Sequence, residues 1–156
     1  MDTMRNIDVM GIINLTDNSY FSESRCLGED GRDDIGKIIA RAVRMAEEGA
    51  TILDIGACST RPGSEAVGED EEWRRLEPAL KAIHRELPDM RISVDTYWPS
   101  VVRKTYGLIG DFIFNDVTAG EGMEGDSSYR KGEMLPLVGR LGLAYIAMHM
   151  RGNPLT

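Results

Sequence analysis

The sequence predicts an α/β protein of the (β/α) barrel kind, and three observations carry that expectation. Five short apolar runs each end in a polar residue: Val9–Ile13 in Asn14, Ile52–Leu53 in Asp54, Ile92–Val94 in Asp95, Phe112–Phe114 in Asn115 and Asp116, and Ala144–Met148 in His149. Each run but the last leads into a Gly-, Ser- or Thr-bearing loop and then a helical pattern. Strands buried on both faces read as continuous apolar runs, and barrel active sites gather where the strands reach their C-terminal rim. Five strands therefore aim carboxamides, carboxylates and an imidazole at one place. With 156 residues the chain has room for five βα units, whereas a complete eight-fold barrel needs about 250. The fold is either an open α/β sheet or the first part of a barrel.

The first strand is expected at 7–14, followed by a loop, 15–34, rich in Asp, Ser, Gly and Glu. A helix from about Asp34 to Glu48 follows from the spacing of Ile35, Ile38, Ile39, Ala42, Val43 and Ala46, with Gly49 as its stop. The second strand is 51–55, and the loop 56–69 carries Gly56, Pro62, Gly63 and Gly68. The second helix covers about 71–86, with Trp73, Leu76, Leu80 and Ile83 on one side, and Pro88 closes the segment. The acidic run at 69–72 reads as a solvated helix start, favoured by the helix dipole. The third strand is 91–95, and Pro99 suits the first turn of a third helix that runs to about Tyr106. The fourth strand is 111–116, the fourth helix about 132–141 and the fifth strand 143–149. Strand–helix–strand alternation implies parallel strands with right-handed crossovers.

Bulk properties exclude several function classes. Lys plus Arg is 18 against 26 for Asp plus Glu, a net charge of −8. Such an acidic chain is a poor nucleic-acid binder, which needs basic surface to displace counterions. No apolar stretch approaches the roughly 18 residues of a membrane span. The start, Met1 to Asp8, is too polar for a secretory signal. Cys26 and Cys58 lie in separate loops and fit no metal or redox spacing. A cytoplasmic protein with reduced thiols is expected.

Asn14 ends the first strand, where a carboxamide oxygen either ligates a hard cation such as Mg²⁺ or caps a turn. The loop Asp54-Ile-Gly-Ala-Cys-Ser-Thr-Arg-Pro-Gly63 is denser in chemistry. Backbone N–H groups with Ser59, Thr60 and Arg61 suit an anion; the alternative is a Gly/Pro turn with a solvent-facing Arg. Asp95 and Asn115 together suit the donor–acceptor edge of a heterocycle, because an unpaired polar atom in such a site is costly. Ion pairing with a neighbouring strand is their plainer role. His149 is either a rim base or a packed imidazole beside Met148 and Met150, which offer adaptable apolar contact to a flat ring. His84, among charges on the second helix, reads as surface.

These segments together resemble the dihydropteroate synthase family. Its signatures are an Asn-Val-Thr-Pro-Asp-Ser-Phe loop, an Asp-x-Gly-Gly-Glu-Ser-Thr-Arg-Pro-Gly loop, a Ser-Val-Asp-Thr strand end and an Asn-Asp strand end. Here they read Asn14-Leu-Thr-Asp-Asn-Ser-Tyr20, Asp54 to Gly63 as above, Ser93-Val-Asp-Thr96 and Asn115-Asp-Val117. Met148-His-Met-Arg-Gly-Asn-Pro154 resembles the segment after the family's fifth strand, so the matches run in order over nearly the whole chain. The resemblance implies a TIM (β/α)8 barrel, of which residues 1–156 are the N-terminal part. It implies an enzyme that joins 6-hydroxymethyl-7,8-dihydropterin diphosphate to p-aminobenzoate, releasing pyrophosphate and 7,8-dihydropteroate for folate synthesis. By position, Asn14 would bind Mg²⁺. Asp95 and Asn115 would hydrogen-bond the pterin, with Asp54 also in the pterin site and Val117 and Met148 as its walls. Thr60 and Arg61 would serve catalysis in the second loop, and Ser59, Pro62 and Tyr20 would line the p-aminobenzoate side.

The chain departs from the pattern at Asp17-Asn18, where the family has Pro-Asp, and at Ala57-Cys58, where Gly-Glu is usual. The family's further pterin-contacting Asp and Lys and its Arg-x-His anion site lie on strands 6–8, which have no counterpart here. The family is usually homodimeric and is the sulfonamide target. Two other readings compete: a pterin-binding methyltransferase domain, disfavoured by the Ser59–Gly63 loop, and a non-catalytic pterin-binding barrel piece. Uncovered sheet edges and apolar faces lead us to expect the isolated 156 residues to associate and to lack turnover.

Overall fold

The computed structural model describes residues 7–15, 34–57, 68–121 and 132–149. Nine elements alternate along them: β1 (Met10–Asn14), α1 (Ile35–Glu47), β2 (Ile52–Gly56), α2 (Glu69–Glu86), β3 (Arg91–Asp95), α3 (Pro99–Ile109), β4 (Ile113–Asp116), α4 (Met134–Leu141) and β5 (Ala144–Ala147). Local chemistry explains several boundaries. The Asp34 side chain accepts from the Lys37 N–H and caps α1. Gly49, at φ +104°, turns the chain beyond the helix end. Pro99 opens α3, where a missing N–H costs nothing. Pro78 supplies no N–H to the α2 ladder, but it lies on the exposed face.

The strands form one parallel sheet in the order β1-β2-β3-β4-β5. That order decides between the two architectures. A doubly wound sheet reverses its strand order at a switch point. Here every crossover advances in the same direction, so right-handed connections place every helix on one face. The arrangement is an arc of a barrel wall, with β1 and β5 as its two edges.

Strand alternation divides the side chains cleanly. Ile13, Leu53, Ile55, Ile92, Val94 and Phe114 face the helices and pack with Ile38, Ala42, Leu76, Leu80, Ile83, Val101 and Leu137 in the buried core. Gly11 lets α1 approach β1 closely: a Cβ there would meet the Met45 sulfur at 2.8 Å. On the inner face Ile12 is 53% exposed and Ile146 39%. At the N-terminal ends of the strands, Thr51 Oγ1 donates to Asp8 at 2.9 Å and accepts from the Val9 N–H, while Arg91 pairs with Asp8. This polar latch closes the end opposite the candidate site.

The observed elements differ from the sequence expectations at their ends. β1 starts at Met10, leaving Ile7 and Val9 exposed outside the sheet. β5 stops at Ala147, so His149 lies beyond it. α2 begins at Glu69 and α3 continues to Ile109.

Candidate active site at the strand ends

The pairing register places Asn14, Gly56, Asp95, Asn115 and Ile146 in a single row across all five strands. Two residues earlier on each strand, and so on the same face, Ile12, Asp54, Ser93, Ile113 and Ala144 form the row beneath. The polar residues of the two rows bond to one another. Ser93 Oγ donates to Asp54 Oδ1 at 2.5 Å, and Asn115 Nδ2 donates to Asp54 at 3.2 and 3.3 Å. The buried Asp54 thus turns the Asn115 amide so that its oxygen faces away from the lower row.

Gly56 sits between Asn14 and Asp95. A Cβ at Gly56 would come within 3.5 Å of Asp95 Oδ2 and 3.7 Å of Asn14 Oδ1. The absent side chain keeps a gap between a carboxamide oxygen and a carboxyl group. Burial, helped by the charges of Asp54 and then Asp116, pushes the Asp95 carboxyl up to about 7. A group with hydrogen-bond donors aimed at Asp95 replaces its lost solvation and favours its ionised form.

Asn115 and Asp116 are adjacent in sequence but serve opposite faces. Asp116 is fully buried on the helix side. It accepts from Thr118 N and Oγ1 and from Gly120 N, each at 2.7 Å, and from the Tyr145 hydroxyl at 3.2 Å. These bonds hold the turn that carries Val117, with Ala119 and Gly120 at positive φ. The Asp116 carbonyl accepts from the Met148 N–H at 3.1 Å, which brings the end of β5 beside the same turn. Val117 is half-buried and Met148 is 42% exposed, so both are available to a flat ligand. His149 is exposed and does not pack among core methionines, because β5 ends two residues before it.

Glu72 overturns the reading of the acidic run at 69–72 as wholly solvated. It is completely buried, and burial pushes its carboxyl up to about 8; the Thr96 side chain partly offsets this, and the Asp95 charge adds to it. The signal was present in the helical period. Stepping back four residues from Leu76 along the stripe of Leu76, Leu80 and Ile83 lands on Glu72. His84 is exposed, as expected.

Tyr20, Ser59, Thr60, Arg61 and Pro62, like Cys26 and Cys58, lie outside the described residues. Among the described residues, no group of three or more His, Cys, Asp and Glu side chains stands ready to hold a metal. Asn14 alone, as one oxygen donor beside the Gly56 gap, still suits Mg²⁺, which keeps waters and takes further ligands from substrate phosphates. No described helix is long and apolar enough to cross a membrane.

Comparison with known proteins supplies the context. A family model described as pterin binding enzyme matches residues 10–156. The folic acid synthesis protein of Schizosaccharomyces pombe is 37% identical over 147 residues, covering 94% of this chain and 18% of that protein. The dihydropteroate synthase of Escherichia coli is 35% identical over 150 residues, covering 95% of this chain and 46% of that enzyme. Among solved structures, the Burkholderia cenocepacia dihydropteroate synthase complexed with 7,8-dihydropteroate superposes with a TM-score of 0.66 at 34% identity, covering 97% of this chain and 44% of that one. The chain spans less than half the length of each of these relatives.

Proposed function

The chain belongs to the pterin-binding enzyme family, and from that premise we propose that residues 1–156 supply the first five βα units of a dihydropteroate synthase barrel. The reaction joins the amine of p-aminobenzoate to the methylene carbon of 6-hydroxymethyl-7,8-dihydropterin diphosphate. A C–N bond forms, the C–O bond to the diphosphate breaks, pyrophosphate leaves with the electron pair, and the amine releases a proton. The observation that carries this reading is the row Asn14–Gly56–Asp95–Asn115 at one end of the parallel sheet.

Each residue of the row has a task in that chemistry. Asp95 accepts from the N–H groups of the pterin's aminopyrimidine edge, and Asn115, oriented by Asp54, supplies the neighbouring contact. A ring with the wrong pattern of donors leaves these groups unpaired and is rejected. Val117 and Met148 wall the flat ring. Asn14 would hold Mg²⁺, which would supply positive charge to offset the charge developing on the diphosphate. By the family resemblance, Thr60 and Arg61 would assist the departing pyrophosphate, and Ser59, Pro62 and Tyr20 would serve p-aminobenzoate. Water kept from the reacting carbon cannot intercept it. The reading also places the protein in the cytoplasm, without a nucleic-acid partner, and the complete synthase as a homodimer.

Isothermal titration of the chain with the dihydropterin diphosphate and Mg²⁺ tests the proposal. Saturable binding that weakens without Mg²⁺ and disappears in Asp95→Asn supports it. Binding that Asp95→Asn leaves unchanged refutes the assignment of the row, and no binding by the folded chain refutes a working pterin pocket within these residues.

A further inference from the structure

Asp54 bonds past a neighbouring strand. It stands on β2 in the lower row, and its carboxyl accepts from Asn115 Nδ2 on β4 at 3.2 and 3.3 Å and from the Ser93 hydroxyl on the intervening β3 at 2.5 Å. Asp54 is 5% exposed and Ser93 has no exposed surface, whereas Asn115 is half-buried. Of the three, Asn115 is the one that meets the open inner face. An ionised carboxyl accepts hydrogen bonds and donates none. Opposite it the Asn115 amide has one favourable orientation, with Nδ2 toward Asp54 and Oδ1 toward the inner face. The reverse orientation sets oxygen against oxygen and leaves a buried carboxyl short of a donor. Ser93 gives its single hydroxyl proton to Asp54, which holds the carboxyl over β3, within reach of β4. Asp95 is the register partner of Asn115, and neighbouring strands lie about 4.8 Å apart, so one flat ring meets both.

We propose that Ser93 and Asp54 are positioning residues that set ligand specificity: they lock the Asn115 amide with its oxygen toward the ligand, so that Asp95 and Asn115 together demand a ring edge with neighbouring N–H donors. Neither Ser93 nor Asp54 touches the ring. A ring that offers an acceptor to Asn115 must turn the amide over against Asp54, and it is rejected by the bonds that this breaks. The inference rests on the assignment of the row to the pterin, whose ring N–H and exocyclic amine form such an edge.

The test titrates the full chain, with Mg²⁺, against the dihydropterin diphosphate and its 2-desamino analogue. The analogue keeps the ring N–H for Asp95 but offers Asn115 only a ring nitrogen, an acceptor. The parent is expected to prefer the amino ring by at least about a hundredfold. In Asp54→Asn the neutral amide either accepts or donates, so Asn115 takes both orientations and each ring selects the one it needs. The analogue is then expected to bind about tenfold more tightly than it binds the parent, while the dihydropterin diphosphate stays within about threefold. A residue with a purely structural role would weaken both rings together. That result, or an unchanged preference, overturns the inference, and the pterin assignment stands if Asp95→Asn abolishes binding. If the parent binds neither ring, the pterin assignment falls. In that case, or if Asp54→Asn does not fold, the side-chain amide resonances of Asn115 in the parent decide. One Nδ2 proton protected from exchange, and released in Ser93→Ala, upholds the lock; two protons that exchange alike overturn it.

Discussion

Replacing Asp95 by Asn is expected to stabilise the fold while abolishing its pterin affinity, and pH separates the two effects. In the unfolded chain the Asp95 carboxyl loses its proton near its ordinary value of 3.8, whereas in the folded protein burial and the Asp54 and Asp116 charges hold it to about 7. Between those values the folded state binds more protons than the unfolded one, so stability falls as pH rises through that window and stays low above it. The window is about 3 pH units, worth ~1.4 kcal/mol each, which sets an upper limit of about 4 kcal/mol. Asp95 keeps some contact with solvent, and halving the figure for screening leaves about 2 kcal/mol. An Asn side chain has no charge to suppress. Asp95→Asn should therefore match the parent near pH 3.8 and exceed its stability by about 2 kcal/mol at pH 8. The variant also removes one of the influences that raise Glu72, which adds to the gain. Urea denaturation followed by circular dichroism at pH 4, 6 and 8 measures the difference. An advantage of equal size at pH 4 and pH 8 would refute the electrostatic argument.

Three further outcomes are expected. Phe114, fully buried and stacked on Tyr145 at 5.2 Å, anchors the helix-facing core, so Phe114→Ala should cost about 3–5 kcal/mol in urea denaturation. Asp116→Ala removes the acceptor of four hydrogen bonds; about 2–4 kcal/mol of stability should be lost, with faster hydrogen exchange at the Thr118 and Gly120 amides. Gly56→Ala puts a Cβ only in ordinary contact with its neighbours, so the melting temperature should barely change, while pterin affinity in the same titration falls about tenfold because the methyl group occupies the gap between Asn14 and Asp95.

Much of this was legible in the sequence because the two periods of regular structure differ. Continuous apolar runs ending in Asn14, Asp95 and Asn115 marked the strands and their rim, and the register then put those three residues in one row. The spacing of Ile35, Ile38 and Ala42 marked α1, which begins within a residue of its expected start. What failed was local. The run that ends in Asn115 and Asp116 does not tell the two apart; strand alternation sends them to opposite faces, and only Asn115 joins the row. Reading residues 69–72 by composition hid the helical phase that buries Glu72. Of the two roles open to His149, packing beside the methionines needed the strand to continue, and it stops at Ala147. Asp54, one row below Asp95, is held by Ser93 and Asn115, a relation between strands that no single segment reveals.

The strand order also shapes how the polar row at the strand ends comes into being. Each strand pairs with the next one made, and the longest step, from Met10 to Ile52, spans 42 residues. Among the described strands every pairing is between sequence neighbours, which keeps their contact order low for a parallel sheet. During synthesis, Asn14 meets Gly56 as soon as β2 emerges, Asp95 joins with β3, and Asn115 closes the row with β4. The row Asn14–Gly56–Asp95–Asn115 is thus assembled one residue per βα unit, in the order in which the ribosome delivers them.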